Sequence, residues 1–292
     1  MPDPTLRRVG IMSAGDMGSG FGAVLHQGGL EVYTCLAGRS ELTRLRATEA
    51  GFIDAPDLDA LVSRVDLFIS VLVPSEATAL AEAVAASMRR TGAHPVYADA
   101  NAIAPQTVKK IEATIRGAGG GFVDAGIIGG PPRQGYSPHI PCSGPDTAIF
   151  EALRDYSVDV RVVGDQVGQA SGLKMVYAAS TKGTTALWTE LLTASRLLGL
   201  EDALRAELGE NATFKAQQRS ITMMPSRARR WVGEMEEIAA TFEGVGMTPR
   251  ILLGAADMYE LVGRTPLAGL TSRDPSPSLD DVLSALADRL TE

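Results

Sequence analysis

A glycine-containing turn directly after the first apolar run constrains the fold of this chain more than any other feature. Residues 8–12 predict a short strand, and a helical pattern follows at 16–28. The residues of the turn and of the helix start are Ser13, Ala14, Gly15, Asp16, Met17 and Gly18. In such an arrangement the backbone can approach a pyrophosphate, whose charge is met by the free N–H groups of the helix start. The turn therefore predicts dinucleotide binding by residues 13–18. The alternative is an ordinary strand-to-helix connection, because Ser13 stands where the first glycine of the fingerprint is usual.

The residues after the second apolar run bear on which dinucleotide is bound. NAD-selective sites usually place a carboxylate about 20 residues past the glycines, where it binds the ribose 2′-hydroxyl. Residues 32–40 contain no Asp or Glu, and Arg39 and Ser40 stand at this distance from Gly18. A guanidinium beside a hydroxyl suits a 2′-phosphate, because Arg donates two parallel charge-assisted hydrogen bonds. We therefore expect NADP(H), with NAD(H) possible. Alternatively, Arg39 is solvated and Ser40 only caps the helix that begins at Glu41, although the two roles of Ser40 can coexist.

The pattern of apolar residues divides the chain near residue 165. Before that point short β-branched runs alternate with helical patterns, which is typical of βα units and a parallel sheet. The predicted strands lie near 8–12, 31–35, 66–72, 95–98, 121–125 and 159–163, and the predicted helices near 16–28, 40–50, 75–90, 105–116 and 146–155. Beyond Gly164 helix formers dominate, and 167–198 predicts one long helix. We expect a doubly wound, mostly parallel α/β Rossmann domain at 1–165, and an all-helical domain for substrate binding and dimerisation at 166–292.

Composition excludes several classes of protein. The 292 residues include 27 Lys and Arg against 35 Asp and Glu, a formal charge of −8, so we expect no nucleic-acid partner. No apolar run approaches the roughly 20 residues of a membrane helix, so we expect neither a membrane span nor export. The two cysteines form no CxxC pair and the three histidines share no metal-ligand spacing. We therefore expect no disulfide framework, no metal and a cytoplasmic location.

A lysine near the start of the predicted long helix suggests chemistry. Six residues at three- and four-residue spacing give this helix one mostly polar stripe: Ser171, Lys174, Ala178, Thr181, Lys182 and Thr185. The stripe must face water, a partner or a cleft between the two domains. Hydride transfer at an alcohol carbon requires a proton to move on the oxygen, and a desolvated lysine can move it. Lys174 is therefore the catalytic candidate, with two merely solvated lysines as the alternative.

Asn101 follows the strand predicted at 95–98. Ligands of this fold bind at the carboxyl ends of the strands, so Asn101 could contact the nicotinamide ribose or the substrate. The alternative is an Asx-type turn, in which the side chain only bonds its own backbone.

Four motifs in order resemble those of the β-hydroxyacid dehydrogenase superfamily, relatives of 3-hydroxyisobutyrate and 6-phosphogluconate dehydrogenases. They are the glycine turn at 10–18, the nicotinamide loop with Leu72, Val73 and Pro74, the substrate loop at 124–130 and the glycine-led helix start with Lys174. The resemblance covers nearly the whole chain. It implies a Rossmann domain, a helical domain joined to it by a long helix, a catalytic lysine at position 174 and dimerisation through the helical part. Residues 230–239 are also similar to a branch described as phosphogluconate-dehydrogenase-like.

Two departures from the family pattern concern the substrate. The family's substrate-loop serine is Ile128 here, and the Asn one turn after the lysine is replaced by Tyr177 and Ala178. Tyr177 and Thr181 could supply replacement hydrogen bonds, with packing as the alternative for Tyr177. N–H groups of the loop and the Arg133 guanidinium could hold an anion, unless Arg133 is an ordinary surface residue. The predicted substrate-binding residues are Ile128, Gly129, Gly130, Arg133, Tyr177, Thr181 and Lys182.

Together these features predict an NADP(H)-dependent oxidoreductase that acts on a small hydroxy or oxo compound, such as a hydroxy acid, with Lys174 as general acid and base. Two alternatives stay open: reduction of an imine, as in relatives with altered acid/base positions, and a non-catalytic nicotinamide sensor, suggested by Ser13 and Ile128. We also expect a homodimer, because the predicted long helix is apolar on too many faces for one domain to cover.

Overall fold

The chain divides into two compact units, residues 1–175 and 176–292. The computed structural model describes residues 6–133, 135–271 and 274–291. The division lies beyond the predicted position 165 because the residues after Gly164 are still hydrogen-bonded to the sheet of the first unit. The N–H groups of Gly168 and Ser171 donate to the carboxylate of Asp124, at 2.8 and 3.1 Å.

Eight strands form one sheet in the described part of the first unit. They are β1 (Arg8–Met12), β2 (Glu31–Thr34), β3 (Ile53–Asp54), β4 (Leu67–Ser70), β5 (Val96–Asp99), β6 (Phe122–Ala125), β7 (His139–Ser143) and β8 (Asp159–Gly164). Their order across the sheet is β3-β2-β1-β4-β5-β6-β7-β8, and every neighbouring pair is parallel except β6 with β7. The predicted doubly wound, mostly parallel α/β architecture is confirmed. The strand order reverses between β1 and β4, which is where such sheets bind ligands.

Helices connect the strands and make up the regular structure described for the second unit. The helices of the first unit are α1 (Asp16–Gln27), α2 (Glu41–Glu49), α3 (Leu58–Arg64), α4 (Pro74–Thr91), α5 (Pro105–Arg116) and α6 (Thr147–Glu151), and α7 (Gln169–Ala178) begins there. Those of the second unit are α8 (Thr184–Leu197), α9 (Glu201–Leu208), α10 (Ala212–Met223), α11 (Ala228–Glu243), α12 (Arg250–Gly263) and α13 (Leu279–Thr291). The predicted helical C-terminal region is therefore confirmed.

Side chains of the central strands are buried on both faces of the sheet. Val9 and Ile11 of β1 pack with Leu25 of α1 on one face, whereas Met12 belongs to the cluster that contains Val84 of α4 on the other. Successive side chains of a strand point to opposite faces, so a strand covered by helices on both sides must be apolar throughout. This explains why the sequence shows short continuous apolar runs rather than alternation.

The long helix predicted over 167–198 is found as a helical run over 169–197, but it is not a regular α-helix throughout. A π-helical segment, Ala179–Gly183, separates α7 from α8. Hydroxyl groups in this region donate to the carbonyls of the preceding turn: Ser180 Oγ to Tyr177 O and Thr184 Oγ1 to Ser180 O, both at 2.7 Å. Such bonds compete with the regular helical ladder and bend helices. Apolar periodicity does not register this competition.

The sequence pattern also missed three short elements. The strand β3 has two residues, both exposed, and β7 contains Pro141, which lacks a backbone donor. Helix α3 has seven residues and is capped by Asp57, whose carboxylate accepts the N–H of Ala60 at 2.7 Å. The two exposed residues of β3 carry no apolar signal, and the proline in β7 argues against a strand there.

The second unit contains its own packed helices. Met235 and Ile238 of α11 are fully buried, and the Trp231 ring meets the Tyr259 ring edge-on at 5.2 Å between centroids. Arg196 of α8 donates to Glu201 at 2.8 Å and to Ser284 of α13 at 2.6 Å, and it also pairs with Asp280. These bonds join α8 to the start of α9 and to α13.

Candidate functional site

The turn after β1 requires a glycine at position 18. A Cβ atom there would lie 1.9 Å from the carbonyl oxygen of Ser13, far inside van der Waals contact. The N–H of Ser13 donates to Val71 O at 3.2 Å, and the N–H of Val71 donates to Met12 O at 2.5 Å. The turn is thus held against the carboxyl end of β4, although Ser13 replaces the usual first glycine.

The residues of this turn fit a dinucleotide pyrophosphate. Gly15 is the N-cap of α1 and provides no side chain to cap the helix. A Cβ at Gly15 would have only Ser13 Oγ nearby, at 3.7 Å, so the space in front of the helix is open. The first N–H groups of a helix lack partners within the helix and carry its positive dipole end, which suits a bound anion. Ala14 is buried, while Asp16 and Met17 lie in the first turn of α1.

The residues predicted to bind a 2′-phosphate follow β2. Ser40 caps α2, because its Oγ accepts the N–H of Thr43 at 3.3 Å. Arg39 is half-buried, and its carbonyl accepts Arg44 Nε at 3.2 Å. Within the described part of the chain, the Arg39 guanidinium makes no ion pair. The capping alternative for Ser40 is therefore observed, and it leaves the Arg39 guanidinium available to an anion.

Asn101 connects the loops that follow β4 and β5. Its Oδ1 accepts the N–H of Leu72 at 2.5 Å, its Nδ2 donates to Ser70 Oγ at 2.8 Å, and its own N–H donates to Asp99 Oδ1 at 3.0 Å. Only 2% of Asn101 is exposed. Its side chain therefore positions Leu72 in the predicted nicotinamide loop and is already hydrogen-bonded within the protein. The next two residues of that loop are Val73, which is exposed, and Pro74, the first residue of α4.

Lys174 lies at the same edge of the sheet as the glycine turn. Its Nζ donates to the carbonyl oxygen of Asn101 at 3.5 Å, and its side chain is half-buried. Gly126, after β6, leaves room for the lysine stem, since a Cβ at Gly126 would lie 3.0 Å from Lys174 Cβ. A continuous set of hydrogen bonds therefore runs from Ser13 through Val71 and, by way of Leu72 and Asn101, to the ammonium group of Lys174.

Asp124 anchors the start of α7. Besides the N–H groups of Gly168 and Ser171, its carboxylate accepts Ser143 Oγ at 3.0 Å and the hydroxyl of Ser171. Asp124 is fully buried, so these donors replace the water that an ionised carboxylate needs. Lys174 stands one helical turn after Ser171, and Asp124 thereby fixes the place from which the lysine side chain extends. Asp124 is the first residue of the loop motif at 124–130, and the motif alone does not indicate this anchoring role.

Asp99, at the end of β5, is a second fully buried carboxyl group. It is register-paired with Asp124 on the neighbouring strand. The pKa of Asp99 is raised from 3.8 to about 7, chiefly by burial and further by the charge of Asp124, while hydrogen bonds from Asn101 and the charge of Lys174 act to lower it. No motif drew attention to Asp99, because its proximity to Lys174 depends on strand pairing.

The predicted anion-binding loop is ordered largely by Tyr136. Ile128 forms a two-hydrogen-bond bridge with His139, at 2.9 and 3.1 Å. Gly129 has φ +136°, a conformation that favours glycine, and the N–H of Gly130 donates to Tyr136 Oη at 3.2 Å. The exposed Arg133 guanidinium lies 5.5 Å from the centre of the Tyr136 ring. The Gly130 donor is thus already used, and sequence reasoning missed the residue that uses it.

The remaining predicted substrate residues belong to the second unit. Tyr177 is half-exposed, Thr181 Oγ1 donates to Ala178 O at 3.2 Å, and Lys182 pairs with Glu234. Lys182 Nζ also lies 5.5 Å from the centre of the Trp231 ring. Three members of the predicted polar stripe are buried, namely Ser171, Ala178 and Thr185. These buried residues interrupt the stripe, whereas Lys174, Thr181 and Lys182 keep at least partial exposure.

Residues 6–133, 135–271 and 274–291 bear on two alternative kinds of site. Among those residues, no group of three or more His, Cys, Asp or Glu side chains is placed to hold a metal ion. None of the helices in the same ranges is long and apolar enough to cross a membrane.

Comparison with known proteins gives two family matches. Residues 8–156 match the family described as the NAD binding domain of 6-phosphogluconate dehydrogenase. Residues 195–262 match a domain of unknown function, which lies wholly within the second unit.

Similar proteins support the same architecture. An uncharacterised 28.5 kDa protein in the 7S RNA 5′ region of Methanothermus fervidus is 32% identical over 203 residues, 70% of this chain and 76% of the relative. A conserved protein of unknown function, described as structurally similar to 3-hydroxyacid dehydrogenases, is 31% identical with a TM-score of 0.66, over 87% of this chain and 97% of that one. The 3-hydroxyisobutyrate dehydrogenase of Mycobacterium tuberculosis is 15% identical with a TM-score of 0.67, over 97% and 99%, which is a likeness of fold.

Proposed function

The chain belongs to the family of the NAD-binding domain of 6-phosphogluconate dehydrogenase, within the β-hydroxyacid dehydrogenase superfamily, and on that premise we propose that it is an NADP(H)-dependent oxidoreductase of small hydroxy or oxo compounds. The observation that carries the proposal is the hydrogen-bonded connection from the glycine turn to Lys174. It brings a dinucleotide-binding turn and a lysine to one edge of the sheet, through Val71, Leu72 and Asn101. A cofactor-binding group and a proton-transfer group at one edge are what a dehydrogenase needs.

Lys174 performs the proton transfer in the proposed reaction. The nicotinamide, when bound, supplies hydride to a carbonyl carbon or accepts it from an alcohol carbon. In reduction, the Lys174 ammonium donates one proton to the carbonyl oxygen as that oxygen gains charge. In oxidation, the neutral amine accepts the hydroxyl proton. The Asn101 carbonyl accepts a hydrogen bond from Nζ and so orients the amine, and pre-alignment of this kind lowers the entropic part of the barrier.

The role of Lys174 is tested by its removal. We expect Lys174→Ala to lower turnover about 10²- to 10⁴-fold, the contribution typical of a general acid or base, while NADPH binding is retained. The measurement is a stopped absorbance assay at 340 nm with hydroxy acids, aldehydes and imines, beside a fluorescence titration with NADPH. Lys110→Ala, an exposed lysine of α5, is the matched control and should turn over normally. Undiminished turnover in Lys174→Ala would reject the role.

The substrate panel also separates the competing functions. We propose a hydroxy acid as the substrate class, since Arg133 is exposed beside the glycines of the loop at 129–130 and can meet a carboxylate. Preferential turnover of imines would replace the carbonyl reaction with imine reduction. Tight NADPH binding without turnover on the whole panel would point to a nicotinamide sensor.

The preference for NADP(H) is assigned to Arg39. Its guanidinium follows β2 and makes no ion pair with the residues described, so it can bind a 2′-phosphate. We expect Arg39→Ala to weaken NADPH binding roughly 10- to 100-fold, from the loss of charge-assisted hydrogen bonds worth about 1.5–3 kcal/mol. NADH binding should change little, and Arg161→Ala on β8 is the control. Equal weakening of NADPH binding and NADH binding would contradict the assignment of this preference to Arg39.

We also propose that the active form is a homodimer. Leu187 of α8 and Ile251 of α12 line one groove of the second unit and are 61% and 77% exposed. Large apolar side chains exposed together usually mark an interaction surface. A second copy of the chain is the occupant that the family resemblance implies.

A further inference from the structure

Asp99 is a buried carboxyl group near the proposed acid/base residue, and the mechanism above gives it no role. Asp99 is fully buried at the end of β5. Its Oδ1 accepts the N–H of Asn101 at 3.0 Å, whereas its Oδ2 has no hydrogen-bond partner in the described part of the protein. A buried carboxylate oxygen without a donor is costly, so a role that compensates this cost is expected at such a position.

Titratable groups on β5, β6 and α7 interact electrostatically with Asp99. Tyr97 lies on the same strand, Asp124 is paired with Asp99 across β6, and Lys174 lies on α7. The two carboxyl groups are not equivalent. Asp124 accepts hydrogen bonds from Ser143, Gly168 and Ser171, which match the acceptor-only chemistry of the ionised form. Asp99 lacks such donors on Oδ2, so the lysine is the nearby group that can balance its charge.

The backbone of Asn101 links Asp99 directly to the lysine. The N–H of Asn101 donates to Asp99 Oδ1, and the carbonyl of the same residue accepts Lys174 Nζ. A negative Asp99 strengthens its hydrogen bond from the Asn101 N–H and attracts the nearby ammonium through space. The charge of Lys174 correspondingly lowers the pKa of Asp99, which burial raises to about 7.

We propose that Asp99 is a positioning residue that holds Lys174 in its ammonium form at the carboxyl edge of the sheet. The role rests on the proposed function, because it assigns the protonation state of the group that is to donate a proton to substrate oxygen. An ionised Asp99 favours the ammonium, the form required for carbonyl reduction. Without this charge, Lys174 loses its proton at lower pH, so a smaller fraction of it is in the ammonium form that donates the proton.

The test measures the protonation of Lys174 without any substrate. Competitive labelling with acetic anhydride between pH 6 and 11, quantified on the peptide that carries Lys174, gives the midpoint at which this amine becomes reactive. In Asp99→Asn we expect the midpoint to move to lower pH by about one unit, the low end of the effect of a nearby opposite charge. Asp66→Asn, the same change at the amino end of β4, is the matched control and should leave the midpoint in place. The Lys110 peptide serves as the internal reference for reagent activity.

A second variant keeps the proposal testable if Asp99→Asn does not fold. Asp99→Ser keeps an oxygen that can accept the Asn101 N–H, removes the charge and should shift the midpoint in the same direction. NADPH titration verifies that each variant is folded. An unmoved or raised midpoint in a folded variant would overturn the role of Asp99. The failure of the proposed function gives a different result, namely absence of turnover on the panel with the labelling shift intact.

Discussion

At the scale of single residues, the titration of Asp99 makes the stability of the fold depend on pH. Its pKa is raised from 3.8 to about 7 in the folded chain, so the folded state binds more protons than the unfolded state between these values. The stabilising contribution is complete below about pH 4 and is lost as pH rises through 7. Asp99→Asn cannot titrate, and we expect wild type to lose stability relative to this variant by on the order of 2–4 kcal/mol between pH 4 and 7.

Thermal unfolding of wild type and Asp99→Asn between pH 4 and 7 checks the sign of this change in stability. The difference between the wild-type and Asp99→Asn midpoints should shift steadily in favour of the variant as pH rises. A difference that stays constant from pH 4 to pH 7 would show that the carboxyl group does not titrate there.

Individual residues differed in how visible they were from the sequence. The pattern indicated Gly18, Ser40 and Lys174, because a turn, a helix cap and a lysine on an apolar helix each have a local signature. Asp99 and Tyr136 have none. Asp99 is placed by the register between β5 and β6, and Tyr136 by the bridge that folds the loop back on itself. Strand register and loop closure depend on residues that are far apart in the chain, so no local pattern of the sequence reveals them.

At the scale of elements, the placement of α7 depends on one carboxylate. Asp124 accepts two backbone N–H groups and the Ser171 hydroxyl at the start of this helix, and also the Ser143 hydroxyl of β7. In Asp124→Asn one acceptor oxygen becomes a donor and opposes buried donors, and we expect a loss of about 2–4 kcal/mol in the free energy of unfolding. Turnover should fall as well, because Lys174 extends from the same helix.

Urea denaturation measures this loss. Asp159→Asn is the control, since Asp159 lies at the surface of β8, where it bonds Arg161 and His139. An exposed pair of this kind should cost less than about 1 kcal/mol. Equal destabilisation by the two substitutions would show that Asp124 has no special place in anchoring α7.

Elements with a strong apolar periodicity could be predicted from the sequence. Elements in which side-chain hydroxyls compete with the backbone hydrogen bonds could not. The helix predicted at 105–116 coincides with α5, where proline begins the helix and an apolar stripe fills one side. The helix predicted over 167–198 instead contains the π segment Ala179–Gly183, because Ser180 and Thr184 bond backwards to carbonyls. The strand β7, which is antiparallel to β6, was not predicted because it contains Pro141.

At the scale of the whole molecule, the proposed dimer predicts a mass. One chain is 30.7 kDa, and sedimentation at micromolar concentration should give twice this value. Leu187→Glu places a charge in the apolar groove of the second unit and should shift the equilibrium towards single chains. Leu45→Glu on α2, a leucine with 52% exposure outside the groove, is the control and should leave the mass unchanged. Wild type that sediments as a single chain contradicts the dimer.

Gly126 has a consequence for any attempt to alter the specificity of this protein. A Cβ at position 126 would lie 3.0 Å from Lys174 Cβ and 3.3 Å from the carbonyl oxygen of Ala170, so a larger residue there requires the lysine stem to give way by a few tenths of an ångström. A foreign loop grafted after β6 therefore leaves Lys174 undisturbed only if it keeps glycine at this point. Gly126 thus limits how freely the loop after β6 can be redesigned.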